Sequence, residues 1–356
     1  MTRSALLALL ALVALIALRS ASAAQDTLRL CAGGDVTLGV NLDTVIRHGK
    51  KIPPPTWPAP SALVAPIVPL FADADVVLLN AEGAIGDSAA DKCNVVSKHC
   101  FAIRMPAATA SAWRGVNENA AVVANVANNH AHDAGEDGFA QTRALLTDAG
   151  VWVTGADTDA TLVTTARGDT LAILGFSASP PMDVNDLALV KRLVARARAL
   201  TPRVIVTMHL GAEGPGAQRT RDQSEKFVGE VRGDPIAFAR AAVQGGAVLV
   251  IGHGPHVVRA ITWMGNSLVF FSLGNLLTAG NFSMKPPNDR GLIACADIAP
   301  SGRVTRAVLR PTRQREPGRV EPDDRARAIM LADSLARLDF KDSTLRLRVE
   351  ATITPP

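Results

Sequence analysis

The sequence predicts an α/β protein, with a sheet covered by helices on its faces. Short apolar runs rich in Val, Ile and Leu alternate with helical stretches, and after residue 252 the pattern changes to closely spaced strands. The chain has 356 residues, of which 48% are hydrophobic and 20% are charged. A chain of this length and composition buries a substantial core, so the composition argues against disorder.

The predicted elements follow one another in two blocks. In the first block, buried strands are predicted at 28–33, 76–80, 122–126, 171–176, 204–209 and 247–251. Helices are predicted at 138–149 and 184–200, and the stretch 223–244 is expected to form two shorter helices because it contains Gly229, Gly233 and Pro235. In the second block, strands at 257–262, 268–271, 292–298 and 304–309 lack intervening helices, which indicates antiparallel pairing.

Three regions are expected along the chain. Residues 1–24 are predicted to be a signal peptide, residues 25–310 one catalytic domain, and residues 311–356 a C-terminal extension. The segment 311–322 is dense in Pro, Gly and Arg and is expected to link the main sheet to a terminal helix at 323–338, after which a final strand closes the chain.

The N-terminus has the three parts of a secretory signal. Arg3 provides the positive start, residues 5–18 the apolar run, and Ala21-Ser22-Ala23 the small-residue cleavage pattern. The apolar run is shorter than the roughly 20 residues that cross a bilayer. We therefore expect a cleaved signal and a periplasmic or extracellular protein.

The four cysteines are interpreted in the light of this expected export, because exported proteins keep disulfides. Cys93 and Cys100 flank a short polar insert, DKCNVVSKHC, and are the expected pair. A metal site with His99 is the alternative, but it lacks a second ligand pair at suitable spacing. Cys31 and Cys295 lie in strand-like runs, and the sequence leaves open whether they are buried thiols or a bridge between neighbouring strands.

The formal net charge of +4 is spread along the chain and gives no argument for nucleic-acid binding. One local excess of basic residues consists of Arg303, Arg306, Arg310, Arg313, Arg315 and Arg319. This stretch is predicted to be a solvated edge strand and loop. The alternative is a contact surface for an anionic polymer or a membrane.

Potential metal ligands directly follow several predicted strands. They are Asp35, Glu82, Asn129, His130, His209, His253 and His256. In open α/β sheets, ligands bind outside the carboxyl ends of strands, so side chains that are distant in sequence can converge there. Five of the seven histidines fall in three short motifs of this kind, which favours a common site over a chance scatter.

The two acidic candidates each have a simpler alternative. Asp35 lies between glycines in AGGDVTLG, where it is either a ligand at a strand end or a turn residue that bonds its own backbone. Glu82 in NAEGAI is either a ligand or a carboxylate at a helix N-terminus. Asn80 is expected to share its side of the strand and to orient Glu82 or the substrate.

The segment ANNHAHDAGEDGF combines a ligand with a candidate acid. Asn129 can give a metal its side-chain oxygen, while His130 acts on the substrate as an acid or an oxyanion partner and Asp133 holds His130 in its working tautomer. His132 is expected to be exposed or to support the site from behind. The simpler alternative is an Asn-rich turn that leads into a helix capped near Asp133.

The remaining candidates come from the later motifs. His253 and His256 are separated by Gly254-Pro255, a rigid turn that can aim both imidazoles into one space. His209 is either a ligand or a lone core histidine, and Glu213 in GAEG is its natural supporting or substrate contact. Ser272 and Asn275 in FSLGNLL are predicted either to shape the substrate pocket or to form a polar turn.

Carboxylates together with several histidines suit Mn, Fe or Zn better than Ca or Mg. A pair of such ions about 3.5 to 4 Å apart polarises a phosphoryl or acyl oxygen and lowers the pKa of a bound water. The sequence therefore predicts two divalent cations and a phosphatase-like site.

Taken in order, the motifs GDVTLG, NAEG, ANNHAHDAG, HLGAEG, IGHGPHVV and FSLGN resemble the CapA family of bacterial capsule and poly-γ-glutamate synthesis proteins, from about Asp35 to Asn281. That family is similar to the calcineurin-like metallophosphoesterases. The resemblance implies a four-layer αββα sandwich, a metallo-dependent phosphatase-like fold, with a dinuclear metal centre. It also implies that Asp35 is the first-strand aspartate, that Glu82 is in the bridging position, and that Asn129 and His130 form the Asn-His pair, with His209, His253 and His256 as the later histidines.

Three hypotheses of function follow. The first is an exported metal-dependent hydrolase or transferase that acts on a phosphoester, small or polymeric, or on a γ-glutamyl or other cell-envelope polymer. The second is a non-catalytic partner that holds an anionic polymer for synthesis or export, together with a polymer-synthase membrane complex. The third is a secreted binding module with a decayed site, which the retention of all six motifs disfavours.

Overall fold

The computed structural model describes residues 27–38, 45–47, 50–52, 58–87, 102–279, 283–316, 318–340 and 351–355. The predicted signal peptide and the predicted Cys93–Cys100 pair lie outside these residues. Within the described ranges, every helix is too short or too polar to span a bilayer.

The described residues form the following strands and helices. The strands are β1 (Leu28–Leu38), β2 (Val45–Arg47), β3 (Lys50–Ile52), β4 (Val76–Ala81), β5 (Ala84–Ile85), β6 (Arg104–Met105), β7 (Ala121–Asn125), β8 (Trp152–Thr154), β9 (Thr161–Thr164), β10 (Thr170–Ser177), β11 (Val204–His209), β12 (Lys226–Phe227), β13 (Glu230–Val231), β14 (Leu249–His253), β15 (Ile261–Met264), β16 (Ser267–Phe270), β17 (Asn275–Ala279), β18 (Arg290–Ile298), β19 (Val304–Arg315), β20 (Arg319–Pro322) and β21 (Thr352–Ile353). The α-helices are α1 (Pro60–Val64), α2 (Ala108–Arg114), α3 (Gly135–Asp148), α4 (Leu187–Leu200), α5 (Pro235–Gly245) and α6 (Arg327–Asp339), and 3₁₀ helices lie at Ala65–Phe71 and Pro215–Ala217.

Two large mixed sheets dominate the fold. The first has the order β20-β19-β18-β1-β4-β7-β8, with β17 also paired to β1 and β21 to β19. The second has the order β15-β16-β14-β11-β10-β9. Strands β1, β4, β7 and β8 run parallel, as do β10, β11, β14 and β16, so each sheet gathers the carboxyl ends of its parallel strands at one edge.

The two sheets pack face to face and helices cover their outer faces. Because side chains alternate along a strand, Leu78 of β4 enters the core between the sheets while Leu79 faces the helices. Helices α1 to α3 cover the first sheet, and α4 and α5 cover the second. The continuous apolar runs of the sequence reflect this burial on both faces. The predicted four-layer αββα sandwich is confirmed.

The strands after residue 252 were predicted to pair antiparallel, and some of them do. Strands β18 and β19 are antiparallel, as are β15 and β16, in agreement with the prediction. However, β16 also runs parallel to β14, and β17 runs parallel to β1. The predicted strand at 257–262 begins later, as β15 at Ile261.

The stretch 223–244 was predicted as two helices, and only its second half is helical. Residues 226–231 form the hairpin β12–β13 instead. Val228 and Gly229 have φ values of 47° and 85°, which belong to a turn and not to a helix interior. Helix α5 begins at Pro235, where Asp234 Oδ1 accepts hydrogen bonds from the backbone N–H groups of Ile236 and Ala237 at 3.0 and 2.9 Å.

The expected linker at 311–322 is also different in the structure. Strand β19 continues to Arg315 and pairs with β20, so most of this segment belongs to the first sheet. Thr312, Gln314 and Val320 are buried there, between exposed or half-buried arginines. The dense Pro, Gly and Arg content hides this alternation, which is typical of a strand that is buried on one face.

Cys31 of β1 and Cys295 of β18 form a disulfide, which answers the question that the sequence left open. The two residues are direct partners in antiparallel strands. The bridge joins positions 264 residues apart in the chain.

Candidate metal centre

The candidate residues lie in two rows across the carboxyl ends of the parallel strands. In the first sheet, the register aligns Asn275, Asp35, Asn80 and Asn125 on β17, β1, β4 and β7. In the second sheet, it aligns Ser177, His209 and His253 on β10, β11 and β14. Side chains in register on neighbouring parallel strands lie side by side, so each row presents a line of polar groups.

The two rows face each other where the sheets meet. Asn80 Nδ2 donates to Asp35 Oδ1 at 2.8 Å and lies 3.1 Å from His209 Nδ1. Asn125 Nδ2 donates to Asn80 Oδ1 at 2.9 Å and so fixes the orientation of that amide. His253 Nδ1 lies 3.7 Å from Asp35 Oδ1. The asparagines therefore position the acidic and imidazole groups relative to one another.

Asp35, Glu82 and His256 form the centre of the cluster. One donor atom from each of the three lies within 4.8 Å of the other two, and all three residues are buried. His256 Nε2 is 3.4 Å from Glu82 Oε1, and His209 Nε2 is 3.8 Å from the same oxygen. Carboxylate and imidazole donors from four strand ends thus converge at the junction of the two sheets.

The position of His256 depends on an unusual turn. Its φ is 56°, and Gly254 has φ 104°, with the place of an added Cβ only 3.1 Å from the His209 ring. Left-handed backbone at a residue other than glycine costs free energy, and such residues cluster at functional sites. His256 Nδ1 lies 3.1 Å from Asp35 Oδ2 and 3.0 Å from Asn275 Oδ1. Both neighbours are acceptors, so Nδ1 carries a proton, and Nε2 is the ring nitrogen that faces Glu82.

The two central carboxylates have displaced pKa values. Burial raises the pKa of Glu82 well above its ordinary value, because the charge of His256 offsets only part of the desolvation and the charge of Asp35 adds to it. Burial opposes the charge of Asp35 as well. There, however, the hydrogen bond and the charge of His256 outweigh it, so the pKa of Asp35 lies below its ordinary value.

Burial and nearby charges shift the pKa values of the histidines in opposite directions. Burial lowers the pKa of His253 to about 4, and it also lowers the pKa of His209 well below its ordinary value. For His256, burial is outweighed by the charge of Glu82 and by the hydrogen bond to Asp35, and the pKa rises to about 10. A positive charge is thus favoured at the position of His256, between the two carboxylates.

Several buried donor atoms fit a metal better than they fit the protein alone. Among the described residues, both carboxylate oxygens of Glu82, Nε2 of His209 and both ring nitrogens of His253 lack hydrogen-bond partners. Each such group costs about 1–3 kcal/mol when it is left unsatisfied. Cations that accept oxygen and imidazole ligands, such as Mn, Fe or Zn, satisfy these atoms. The residues present therefore fit the predicted metal centre.

The loop that carries His130 and Asp133 is tied to the end of β4, next to Glu82. His130 Nδ1 donates to Asp133 Oδ2 at 2.6 Å, and the same oxygen accepts a hydrogen bond from Ile103 N at 2.6 Å. Asn128 Nδ2 donates to the carbonyl of Ala81, next to Glu82, at 2.8 Å, and Asn128 Oδ1 accepts from His130 N at 3.0 Å. The loop that carries His130 is thereby fixed next to Glu82. Asp133 does not cap helix α3, for which the described residues provide no side-chain cap.

The other predicted site residues lie at different distances from the centre. Glu213 Oε2 is 3.7 Å from His256 Nε2, and Asn275 contacts His256 directly. Ser272 is buried, and its hydroxyl accepts a hydrogen bond from Gly274 N in its own turn. Asn129 is half-buried between Asn128 and His130. His132 is exposed, stacks on a phenylalanine and pairs with Glu136, as expected for a residue outside the centre.

Sequence reasoning missed four residues that hold the site together. Asn125 and Asn128 support Asn80 and the His130 loop, Arg232 bonds Glu213, and Arg259 binds Glu225. A signal existed for the asparagines, because VVANVANN places both of them at a strand end. No such sequence pattern indicated the two arginines, because their partners are distant in the sequence.

Much of the basic stretch 303–319 is neutralised within the protein. Arg310 pairs with Asp73, and Arg313 and Arg315 pair with Glu321. These contacts agree with a partly solvated edge of the sheet.

The four-layer sandwich, with carboxylates and imidazoles gathered at the carboxyl ends of its strands, defines an α/β protein with a candidate metal centre at the junction of its two sheets. Residues 29–279 match the model of a family described as bacterial capsule synthesis protein PGA_cap. The match covers more than half of the chain, and the chain belongs to this family. The resemblance to the CapA family is thereby confirmed.

Two curated relatives are named CapA. The capsule biosynthesis protein CapA of Bacillus anthracis is 26% identical over 187 residues, which cover 46% of this chain and 42% of that protein. The PGA biosynthesis protein CapA of Bacillus subtilis (strain 168) is 27% identical over 172 residues, which cover 44% of this chain and 42% of that protein. The matched part thus spans less than half of each relative. Among solved structures, the calcineurin-like phosphoesterase YfkN from Bacillus subtilis matches with a TM-score of 0.36 and 11% identity, over 84% of this chain and 89% of that chain.

Proposed function

We propose that this chain is an exported, metal-dependent hydrolase or transferase that acts on a phosphoester or γ-glutamyl bond of a capsule or other cell-envelope polymer. The observation that carries the proposal is the buried convergence of Asp35, Glu82 and His256, whose donor atoms lie within 4.8 Å of one another. The family and its curated relatives are named for capsule and PGA synthesis, which supports the choice of substrate class.

The residues divide the work between holding cations and moving a proton. Asp35, Glu82, Asn129, His209, His253 and His256 would hold the divalent cations. When bound, such cations polarise the scissile group and supply a hydroxide at neutral pH. His130 would donate a proton to the leaving oxygen from Nε2, because its Nδ1 is held by Asp133 at 2.6 Å.

Export is part of the proposal. The N-terminal pattern of residues 1–24 supports it, and so does the Cys31–Cys295 disulfide, since structural disulfides persist in oxidising compartments. Intact mass of the secreted or periplasmic protein should show a chain that begins just after Ala23 or Ala24. A chain that retains Met1 to Ala23 in that fraction would contradict the cleaved signal.

The test compares His130→Ala with His132→Ala, two histidines of one loop. Protein freed of metal by chelation is reloaded with Mn²⁺ or Zn²⁺ and assayed with bis(p-nitrophenyl) phosphate as a generic phosphodiester. His130→Ala should lower turnover by about 100-fold or more while metal content stays unchanged. His132 is exposed, so His132→Ala should keep wild-type turnover.

Two results would overturn the proposal. The first is wild-type protein that takes up no metal. The second is His130→Ala with the turnover of the wild type.

A further inference from the structure

The loop at residues 211–214 follows β11 and His209, and its backbone is anchored at both ends. Ala212 N donates to Glu225 Oε2 at 2.7 Å, and Gly214 N donates to the carbonyl of Pro255 at 3.0 Å. The second bond ties the loop to the turn that carries His256. Glu213 therefore lies between two fixed neighbours, next to the candidate metal centre.

A buried ion pair holds the first of these anchors. Arg259 donates to both oxygens of Glu225, at 3.0 and 2.7 Å, and also to the carbonyl of Ala212 at 3.3 Å. The Arg259 side chain is 1% exposed and that of Glu225 is 10% exposed. A two-point bond between buried charges has little freedom, so the loop is held in one conformation.

The two carboxylate oxygens of Glu213 face different residues. Its Oε1 accepts a hydrogen bond from Arg232 Nη2 at 2.9 Å, while its Oε2 lies 3.7 Å from His256 Nε2. An arginine can hold both oxygens of a carboxylate side by side, but here Arg232 binds one. Nε of Arg232 is buried and has no hydrogen-bond partner in the part of the chain that the structure describes. The second oxygen of Glu213 is thus left facing His256.

Three carboxylates surround the ring of His256. Oxygens of Asp35, Glu82 and Glu213 lie 3.1, 3.4 and 3.7 Å from its ring nitrogens. Two donor atoms of one ion, each at about 2.1 Å, lie no more than about 4.2 Å apart. Glu213 Oε2 and His256 Nε2 meet this limit, as do Glu82 Oε1 and His256 Nε2. Arg232, whose side chain is 2% exposed, provides a counter-charge to Glu213, whose side chain is 13% exposed.

We propose that Glu213 is a further carboxylate of the cation centre and that Arg232 is the positioning residue that holds its free oxygen there. The inference rests on the proposed function, because it presupposes that the cluster binds divalent cations. It assigns Glu213 to the cation rather than to the substrate. An added oxygen donor also favours Mn²⁺ relative to Zn²⁺, since Zn²⁺ takes nitrogen and sulfur ligands more readily.

The test measures Mn²⁺ and Zn²⁺ binding to the full chain, freed of metal, by titration calorimetry. Glu213→Gln should weaken Mn²⁺ binding by about tenfold or more and Zn²⁺ binding by less. Arg232→Gln should have a similar effect, and Arg232→Lys should recover part of the loss. Glu230→Gln is the matched control, because Glu230 touches Arg232 at 3.5 Å from the exposed side and should leave both affinities unchanged.

The double variant separates positioning from a merely structural role. If Arg232 acts through Glu213, Arg232→Gln adds less than about twofold to the loss in a Glu213→Gln background, because the contact is already gone. Losses that multiply would overturn the role of Arg232. If Arg232→Gln does not fold, as judged by circular dichroism, the same cycle is run with Arg232→Lys, whose smaller loss must also vanish in the Glu213→Gln background.

The outcomes for the two proposals are distinct. Wild-type protein that binds no cation contradicts the proposed function itself. Wild-type protein that binds Mn²⁺, together with Glu213→Gln that binds it equally well, overturns only the role of Glu213.

Discussion

Asp133 shows how one oxygen can organise a candidate acid. Its Oδ2 accepts hydrogen bonds both from His130 Nδ1 and from Ile103 N, each at 2.6 Å. The backbone N–H of Ile103 fixes the carboxylate, and the carboxylate fixes the imidazole. This residue is distinct from the groups that would hold a cation, so its effect on turnover can be separated from metal binding.

Asp133→Asn should lower turnover by about tenfold or more while the metal content remains that of the wild type. The amide oxygen of Asn can take the place of Oδ2, but it carries no negative charge and therefore binds the two N–H donors more weakly than the carboxylate does. Steady-state kinetics on the metal-loaded variant, with elemental analysis of the same sample, checks this. Unchanged kcat would show that Asp133 does not orient His130.

At the scale of residues, the sequence was informative where a side chain directly follows a buried strand. The positions of His209 and His253 were predictable because each is the last residue of a parallel strand, whereas Asp35 lies inside β1, three residues before its end. Arg232 was not predictable, because its partner Glu213 is defined by a loop conformation. The positive φ of His256 could not be predicted from the sequence either, because it depends on where the turn lies in the tertiary structure.

Strand β1 changes partner along its length, and this change places Asp35. Its first half pairs with β18 and its second half with β17, with Gly33 and Gly34 between them. A Cβ on Gly34 would lie 1.9 Å from the carbonyl oxygen of Gly274. The backbones of β1 and the turn before β17 can approach this closely because residue 34 has no side chain.

Gly34→Ala should destabilise the protein by about 3 kcal/mol or more, because the clash involves backbone that cannot move aside. Gly216→Ala is the control, since a Cβ there meets no atom of the described residues within 4 Å. Urea unfolding of both variants measures the difference. Equal midpoints for the two variants would contradict the close approach of β1 and Gly274.

At the scale of elements, continuous Val, Ile and Leu runs gave the parallel strands and their order in the chain. The errors arose where local composition and tertiary context disagree. The hairpin β12–β13 was predicted as helix because each of its strands is two residues long, too short to show an alternating pattern. The pairing of β17 with β1 depends on contacts across more than 200 residues, which local patterns do not encode.

At the scale of the whole molecule, Asp73 connects the first sheet to the outer layer of helices. It accepts hydrogen bonds from Arg29 of β1 and Arg310 of β19, each at 2.6 Å, and it follows the 3₁₀ helix of the outer layer. Partial burial raises the pKa of Asp73, but the hydrogen bonds and charges of Arg310 and Arg29 outweigh it, so the pKa lies below the ordinary value of 3.8. The carboxylate therefore stabilises the fold in its ionised form.

A depressed pKa contributes stability that is complete above the unfolded value of 3.8 and is lost as the pH falls through the lower folded value. Asp73→Asn should therefore lower the urea midpoint at pH 7 and pH 5, and the gap to the wild type should narrow as the pH falls below about 4. Urea titrations of both proteins across this range measure the gap. A gap that stays constant down to pH 2 would contradict the role of the ionised carboxylate.

We expect the strand ends of the two sheets to hold divalent cations in one buried cluster. Anomalous X-ray scattering from crystals grown with Mn²⁺ measures this, with His256→Ala crystals for comparison. We predict a manganese peak in contact with Asp35, Glu82 and His256 in the wild type, and a weaker peak or none in the variant. A wild-type crystal with the same fold and no manganese at this cluster would contradict the account.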